Sequence, residues 1–232
     1  MELCDFGNAS LKQRGFWVNE RAYTIELYNA PAHSIQKALW VLSDQLRHDS
    51  NQHKASLLDV VVGMNNITVN VSASFVEFLP PFLNDMLRCL PTDGEENAPS
   101  RIIDIPVSYG GEFGPDLQRV AKHAGLSMSQ VIAQHTYPIY PVFFLGFQPG
   151  FAYLNGLPSE LHTPRLDTPR AIIPAGAVGI GGAQTGIYPN ASPGGWNLIG
   201  HTDITLFDSQ QDQPSLLQPG DSVRFVAKEV LI

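Results

Sequence analysis

Two arginines five residues apart carry the clearest chemical possibility in this chain. In Pro164-Arg165-Leu166-Asp167-Thr168-Pro169-Arg170 a proline precedes each arginine, and its ring fixes the backbone torsion leading into each cation. A guanidinium presents planar, paired donors that match a carboxylate or phosphate, so the pair could clamp a small anion. Ordinary surface ion pairing is the competing reading, with Asp167 as partner to one arginine. Histidine is the side chain whose ordinary pKa lies nearest neutrality, which makes His135 the candidate general acid or base, with His201 near the same region. A lone histidine also serves often as a hydrogen-bonded structural residue.

These arginines sit in an unusual stretch. Residues 146–200 hold 11 of the chain's 20 glycines and 7 of its 18 prolines, so the backbone there is tightly specified, either as barrel corners or as an ordered functional loop. From Ala171 to Thr202 there is no Asp, Glu, Lys or Arg. A solvated loop of that length would carry several charges. The stretch is therefore expected to lie inside a barrel, around a pocket or against another subunit. Tyr188 and Trp196 favour the contact reading, because aromatic residues concentrate at desolvated interface centres.

Two tempting motifs fail on context. Gly176-Ala177-Val178-Gly179-Ile180-Gly181-Gly182 looks like a dinucleotide fingerprint, but no amphipathic helix follows it, and phosphate binding of that kind needs a helix N-terminus. No P-loop pattern exists either. Ala121, Gly125 and Val131 have helix-turn-helix spacing, yet Leu126 to Thr136 contains no Lys or Arg. A helix pair packed on the barrel is the better account.

The elements that must position these residues fall into two groups. Tyr23 to Leu27 alternates as a strand, and Ile35, Leu39, Leu42 and Leu46 repeat at helical spacing behind a possible Ser34 cap. Val60–Val62, a Gly63–Asn66 turn and Ile67, Val69, Val71 predict a hairpin, followed by helical periodicity from Phe75 to Leu90 despite Pro80 and Pro81. Residues 92–100 have linker composition, which predicts an α+β domain over 1–91 and a second domain over 101–232. In the second, strands are predicted at Ile103–Tyr109, Ile139–Leu145, Ala171–Ile173, Asn197–Ile199, Thr202–Leu206 and Val223–Val226. Two short helices, split at Gly125, cover Asp116 to His135. A mainly-β, closed or nearly closed barrel is the natural architecture.

Composition bounds the function. A hydrophobic content of 44% with 16% charged residues suits an ordered globular protein. The net charge of −8 without any basic run makes nucleic acid a poor partner. No segment approaches the roughly 20 apolar residues of a membrane span, and the N-terminus lacks export character, so a cytoplasmic protein is expected. Cys4 and Cys89 are too few for a disulfide framework or a cysteine zinc site. No metal-ligand set is expected on this chain.

A wider pattern joins these features. Gly146-Phe147-Gln148-Pro149-Gly150-Phe151-Ala152-Tyr153-Leu154, the two Pro-Arg pairs, Pro174-Ala175-Gly176, Gln184-Thr185-Gly186-Ile187-Tyr188-Pro189 and Ser192 through Gly200 together resemble the family of the 5-oxoprolinase B subunit, allophanate hydrolase subunit 1 and the sporulation kinase inhibitor KipI. His135, Tyr140 and the Gly63–Thr68 turn match as well, whereas Met1–Gly15 is unmatched. The resemblance implies a small α+β domain followed by a cyclophilin-like β-barrel domain. It also implies a companion barrel-type subunit of the C kind, a third subunit of the A kind, and ATP-dependent opening of 5-oxo-L-proline, with ATP and Mg²⁺ used at the level of the complex. Within that picture Arg165 and Arg170 would hold the substrate carboxylate, Gln184 and Tyr188 would hydrogen-bond to it, and His135 would assist proton transfer. Tyr140, Phe147, Phe151, Tyr153, Pro174, Trp196 and His201 would line a pocket or a partner interface. The same resemblance allows two alternatives, a KipI-like inhibitor of a sensor histidine kinase and a subunit of a urea- or allophanate-related hydrolase.

Overall fold

A computed structural model describes residues 4–6, 9–30, 32–50, 56–88 and 101–232. The chain divides into two compact units, Met1–Pro99 and Ser100–Ile232. The expected linker at 92–100 and Cys89 lie outside the described residues.

In the first unit, strands β1 (Cys4–Phe6), β2 (Ala9–Asn19), β3 (Ala22–Tyr28), β4 (Leu57–Val62) and β5 (Asn66–Val71) form an antiparallel sheet in the order β1-β2-β3-β5-β4. Helix α1 (Ala32–Ser50) and helix α2 (Leu79–Arg88) supply the other half of its core. Alternation puts Ile25, Leu27, Ile67, Val69 and Val71 on one sheet face, where they pack with Leu39, Leu42 and Leu46 of α1 and Leu79 and Leu83 of α2. Helix α1 begins at Ala32, so Ser34 lies inside its first turn and is not the cap. Periodicity marks a helix's buried face more firmly than its ends. Helix α2 starts at Leu79, so Pro80 and Pro81 fall in the first turn, where a missing N–H costs no helical bond. The segment Met1–Gly15, silent in the sequence, contributes β1 and the start of β2.

The second unit is a closed seven-stranded barrel. Its strands are β6 (Ile102–Gly110), β7 (Ile139–Leu145), β8 (Ala152–Leu154), β10 (Ala177–Gly181), β11 (Gln184–Ile187), β13 (Asn197–His201) and β14 (Ser222–Leu231), with a separate ribbon of β9 (Arg170–Ile173) and β12 (Ser192–Gly194). Going round, the order is β10-β11-β8-β7-β14-β6-β13, and β13 pairs back to β10. The β14–β6 pair is parallel and runs from Ser222↔Ile102 to Leu231↔Gly110, which makes the barrel mixed. Helices α3 (Leu117–Ala124) and α4 (Met128–Thr136) pack on it through Val120, Val131 and Ile132. Gly125 ends α3 at φ 68°, and Ser127 opens α4 with a capping box to Gln130. The helix pair is thus a wall of the barrel core and not a groove-reading element.

One predicted strand is corrected. Thr202–Leu206 joins no ladder: the chain leaves the barrel after His201, and Leu206 enters the core without a sheet partner. Alternating burial produces the same pattern with or without a hydrogen-bonded neighbour. Conversely, β10 escaped prediction because Ala-Val-Gly-Ile-Gly has poor strand propensity, although all five residues are buried.

Candidate functional site

The glycines of the charge-free stretch make room for one indole. Trp196 is 5% exposed, and its ring lies on bare strand backbone. A Cβ at Gly181 would sit 2.4 Å from its Nε1, and one at Gly186 would sit 3.1 Å from its Cζ3. Gly194 leaves space for the Tyr188 hydroxyl in the same way, at 2.6 Å from an added Cβ. Phe151 meets Trp196 edge-on at 5.5 Å and Tyr188 at 5.4 Å, and Tyr153 joins at 5.1 Å from Phe151. With Ile173, Ala177 and Leu198 these rings form a cluster distinct from the barrel core.

Phe147 covers the edge of this cluster, 5.4 Å from Phe151 and 6.3 Å from Tyr188. It is 61% exposed and holds φ 66°, a left-handed conformation that is rare for a bulky residue. The turn around it is closed by Gln148 N–H to Gly146 O at 2.7 Å and Phe151 N–H to Gln148 O at 3.0 Å. Hydrogen bonding of the turn thus holds a large apolar ring in solvent against both local sterics and the hydrophobic effect.

Both arginines are anchored to the chain around Trp196. Arg165 is exposed, with its guanidinium 5.9 Å from the Trp196 ring centroid. The residues either side of it are pinned, since Asn197 Nδ2 donates to Pro164 O at 2.9 Å and Leu166 N–H donates to Gly195 O at 2.7 Å. Arg170 pairs with Gly194 across the ribbon, and its Nη2 donates to Asp116 Oδ1 at 2.8 Å. The other Asp116 oxygen accepts the Leu198 N–H at 2.7 Å. Asp116, far away in sequence, is therefore the ion-pair partner of Arg170, the role that the competing reading gave to Asp167, and Asp167 is exposed. The second Arg170 amino group, Nη1, is buried without a hydrogen-bond partner.

The remaining expected residues take varied places. Tyr188 is 2% exposed. Burial raises its pKa in spite of the opposing Arg165 and Arg170 charges. Gln184 opens β11 opposite Gly181 and is half-buried. Pro174 is exposed beyond β9. His201 Nε2 donates to Ala175 O at 2.9 Å, and its Nδ1 lies 3.8 Å from Asp203.

His135 and Tyr140 require correction. Both are wholly buried in the barrel. Thr185 Oγ1 donates to Gly179 O at 3.1 Å, so it accepts from His135 Nε2–H at 2.8 Å, and Nδ1 accepts from the Tyr109 hydroxyl at 2.8 Å. Burial lowers the His135 pKa to about 3. Both ring nitrogens are engaged and the ring has no solvent contact, so it ties β6 to α4 and β11 and is not placed as a general acid or base. Tyr140 donates its hydroxyl to His135 O at 2.8 Å and packs against Phe225 inside the core, with no surface of its own to offer a pocket or a partner.

Asp116 and Asn197 were missed. Asp116 looks like a helix cap, and it occupies that position without capping through its side chain. Asn197 is fully buried and also receives Arg119 Nε at 3.0 Å. A polar residue opening an apolar strand was the one available signal for it. Among the described residues no group of three His, Cys, Asp or Glu is placed to hold a metal ion.

Fold and site together define a class: a mixed barrel protein whose candidate site combines a cluster of aromatic rings with two neighbouring arginines on glycine-rich backbone. The family model of the carboxyltransferase domain, subdomain C and D, matches residues 14–217, and the chain belongs to that family. It is 48% identical to the 5-oxoprolinase B subunit of Escherichia coli O157:H7, over 94% of this chain and 97% of that protein. The solved structure of TTHA0988 superposes with a TM-score of 0.75 at 34% identity, covering 90% of this chain but only 40% of the longer one. Kluyveromyces lactis urea carboxylase superposes at 0.78 over 100% of this chain and 23% of its own, at 20% identity, which establishes a shared fold alone.

Proposed function

We propose that this chain is the B subunit of a 5-oxoprolinase, a component of a complex that opens 5-oxo-L-proline to L-glutamate with hydrolysis of ATP. The supporting observation is end-to-end similarity to a protein of that name, at 48% identity. A five-membered lactam is resonance-stabilised, so opening it calls for activation of the carbonyl, and ATP phosphate is the natural activator. This chain's glycine-rich backbone does not fit a nucleotide, because Trp196 covers Gly181 and Gly186 where a phosphate would have to approach. ATP and Mg²⁺ accordingly belong to the companion chains, one barrel-type and one a third component, and this barrel is of the cyclophilin-like kind. Among the described residues no helix is long and apolar enough to cross a membrane, in keeping with a cytoplasmic complex.

The test is reconstitution. The three subunits are co-expressed, and glutamate formation from 5-oxo-L-proline is followed with and without ATP. Activity that needs all three proteins and ATP supports the assignment. Undiminished activity when this chain is omitted refutes it.

A further inference from the structure

We infer that the cleft on the outer side of the α3–α4 pair is a docking surface for a companion chain of the complex, and that it takes a segment carrying carboxylates beside an apolar side chain. The assignment rests on the reading of this chain as one subunit of several, and adds to it the surface by which the chain is held.

The cleft has a volume of about 650 Å³ and opens broadly to solvent. Its floor is apolar. Ala121 is buried, and Leu126 and Met128 are half-buried against the barrel core. Its rim is cationic, with Arg119 and Lys122 three residues apart on exposed positions of α3, which sets their Cβ atoms about 5–6 Å from each other. No Asp or Glu lines it, on a chain whose net charge is −8. Among the described residues no carboxylate pairs with either cation. Asp116, an acid one turn away in sequence, commits one oxygen to Arg170 and the other to the Leu198 N–H.

Arg119 reaches the cleft from a fixed root. Its Nε donates to Asn197 Oδ1 at 3.0 Å, and Asn197 is wholly buried, with its amide donating to Pro164 O and Ile180 O. An arginine fixed in this way loses little freedom when an anion arrives.

Shape and charge select the occupant. A small molecule is held where most of its surface is buried, and this cleft leaves one side open. A protein segment closes an open cleft with its own bulk, covers Leu126 and Met128, and answers two cations with carboxylates at matching spacing. Helix α3 also carries Asp116 and Arg119, the two residues that hold the chain around Trp196. A companion seated on α3 therefore grips the helix that positions the candidate site.

The experiment titrates this chain with its separately purified companion subunits and reads affinity by calorimetry at low and high salt. Lys122→Glu is expected to weaken assembly roughly 3- to 30-fold at low salt, because attraction becomes repulsion at a rim contact, and high salt should shrink that difference. Lys122 is the variant of choice because losing Arg119 would also strand Asn197. A second measurement needs no variant: acetylation of the wild-type Lys122 amine, read by mass spectrometry, should fall several-fold when the subunits assemble. Unchanged affinity in Lys122→Glu overturns the docking surface, and so does unchanged acetylation of Lys122 on assembly, even where inorganic phosphate is found to bind the cleft. Failure of the wild-type chain to bind its companions removes the subunit reading, and this assignment with it.

Discussion

Acid should loosen the barrel through one buried imidazole. His135 is neutral in the folded chain, with a pKa of about 3 against 6.5 for the free side chain, because burial opposes its charged form. Above pH 6.5 neither folded nor unfolded chain protonates this ring, and its contribution is flat. Below pH 6.5 the unfolded chain binds a proton that the folded chain refuses, so stability falls by about 1.4 kcal/mol per pH unit until the folded ring itself titrates near pH 3. Between pH 6.5 and about pH 4.5 the loss is roughly 2–3 kcal/mol, a large fraction of a typical domain's stability. Asp104 and Asp203, held below the usual carboxylate range by hydrogen bonds from Arg224 and Lys228, stay ionised in that window and do not blur it. Urea unfolding across this pH range, on the wild type and on His135→Gln, should show a slope steeper by close to one proton in the wild type. The ring resonances of His135 should not titrate above about pH 4.5 and should report the Nε2–H tautomer. Equal slopes, or a His135 midpoint near 6, would refute the reasoning.

Other outcomes follow from the same geometry. Gly181→Ala drives a methyl into the Trp196 indole and should destabilise the protein by about 1–3 kcal/mol with a shift in tryptophan emission. At neighbouring Gly182, where φ is 66° but the space is open, alanine should cost only about 1 kcal/mol and leave the emission unchanged. Asp116→Ala strands both the Arg170 guanidinium and the Leu198 N–H, and thermal or urea unfolding should register a loss of about 3 kcal/mol. Phe147→Gly relieves a left-handed backbone and removes an exposed ring; the melting temperature should hold or rise while activity or assembly of the complex declines, and unchanged function would mean the ring is ornamental.

Much of this architecture was legible locally. Periodicity of two and of 3.6 located β3, α1, the β4–β5 hairpin, β6, the split helix pair and β7, because a residue's partition between core and water depends on face, and face depends on spacing. The absence of charge from Ala171 to Thr202 announced a desolvated segment, and Tyr188 and Trp196 of that segment are buried together against Phe151. Strand β10 was hidden because its glycines answer to Trp196, a residue 15 positions beyond Gly181, and not to strand propensity.

Sequence by itself determined which residues have the chemistry to recognise an anion: two arginines introduced by prolines, just ahead of a stretch without charged residues. Only the tertiary structure decided how they are used. Closing the barrel brought Asp116 onto Arg170 and set Arg165 over Trp196, while it sealed His135 between Tyr109 and Thr185. The physical reason is that a side chain's protonation, partner and access are properties of its surroundings, and in a closed sheet those surroundings come from strands far apart along the chain.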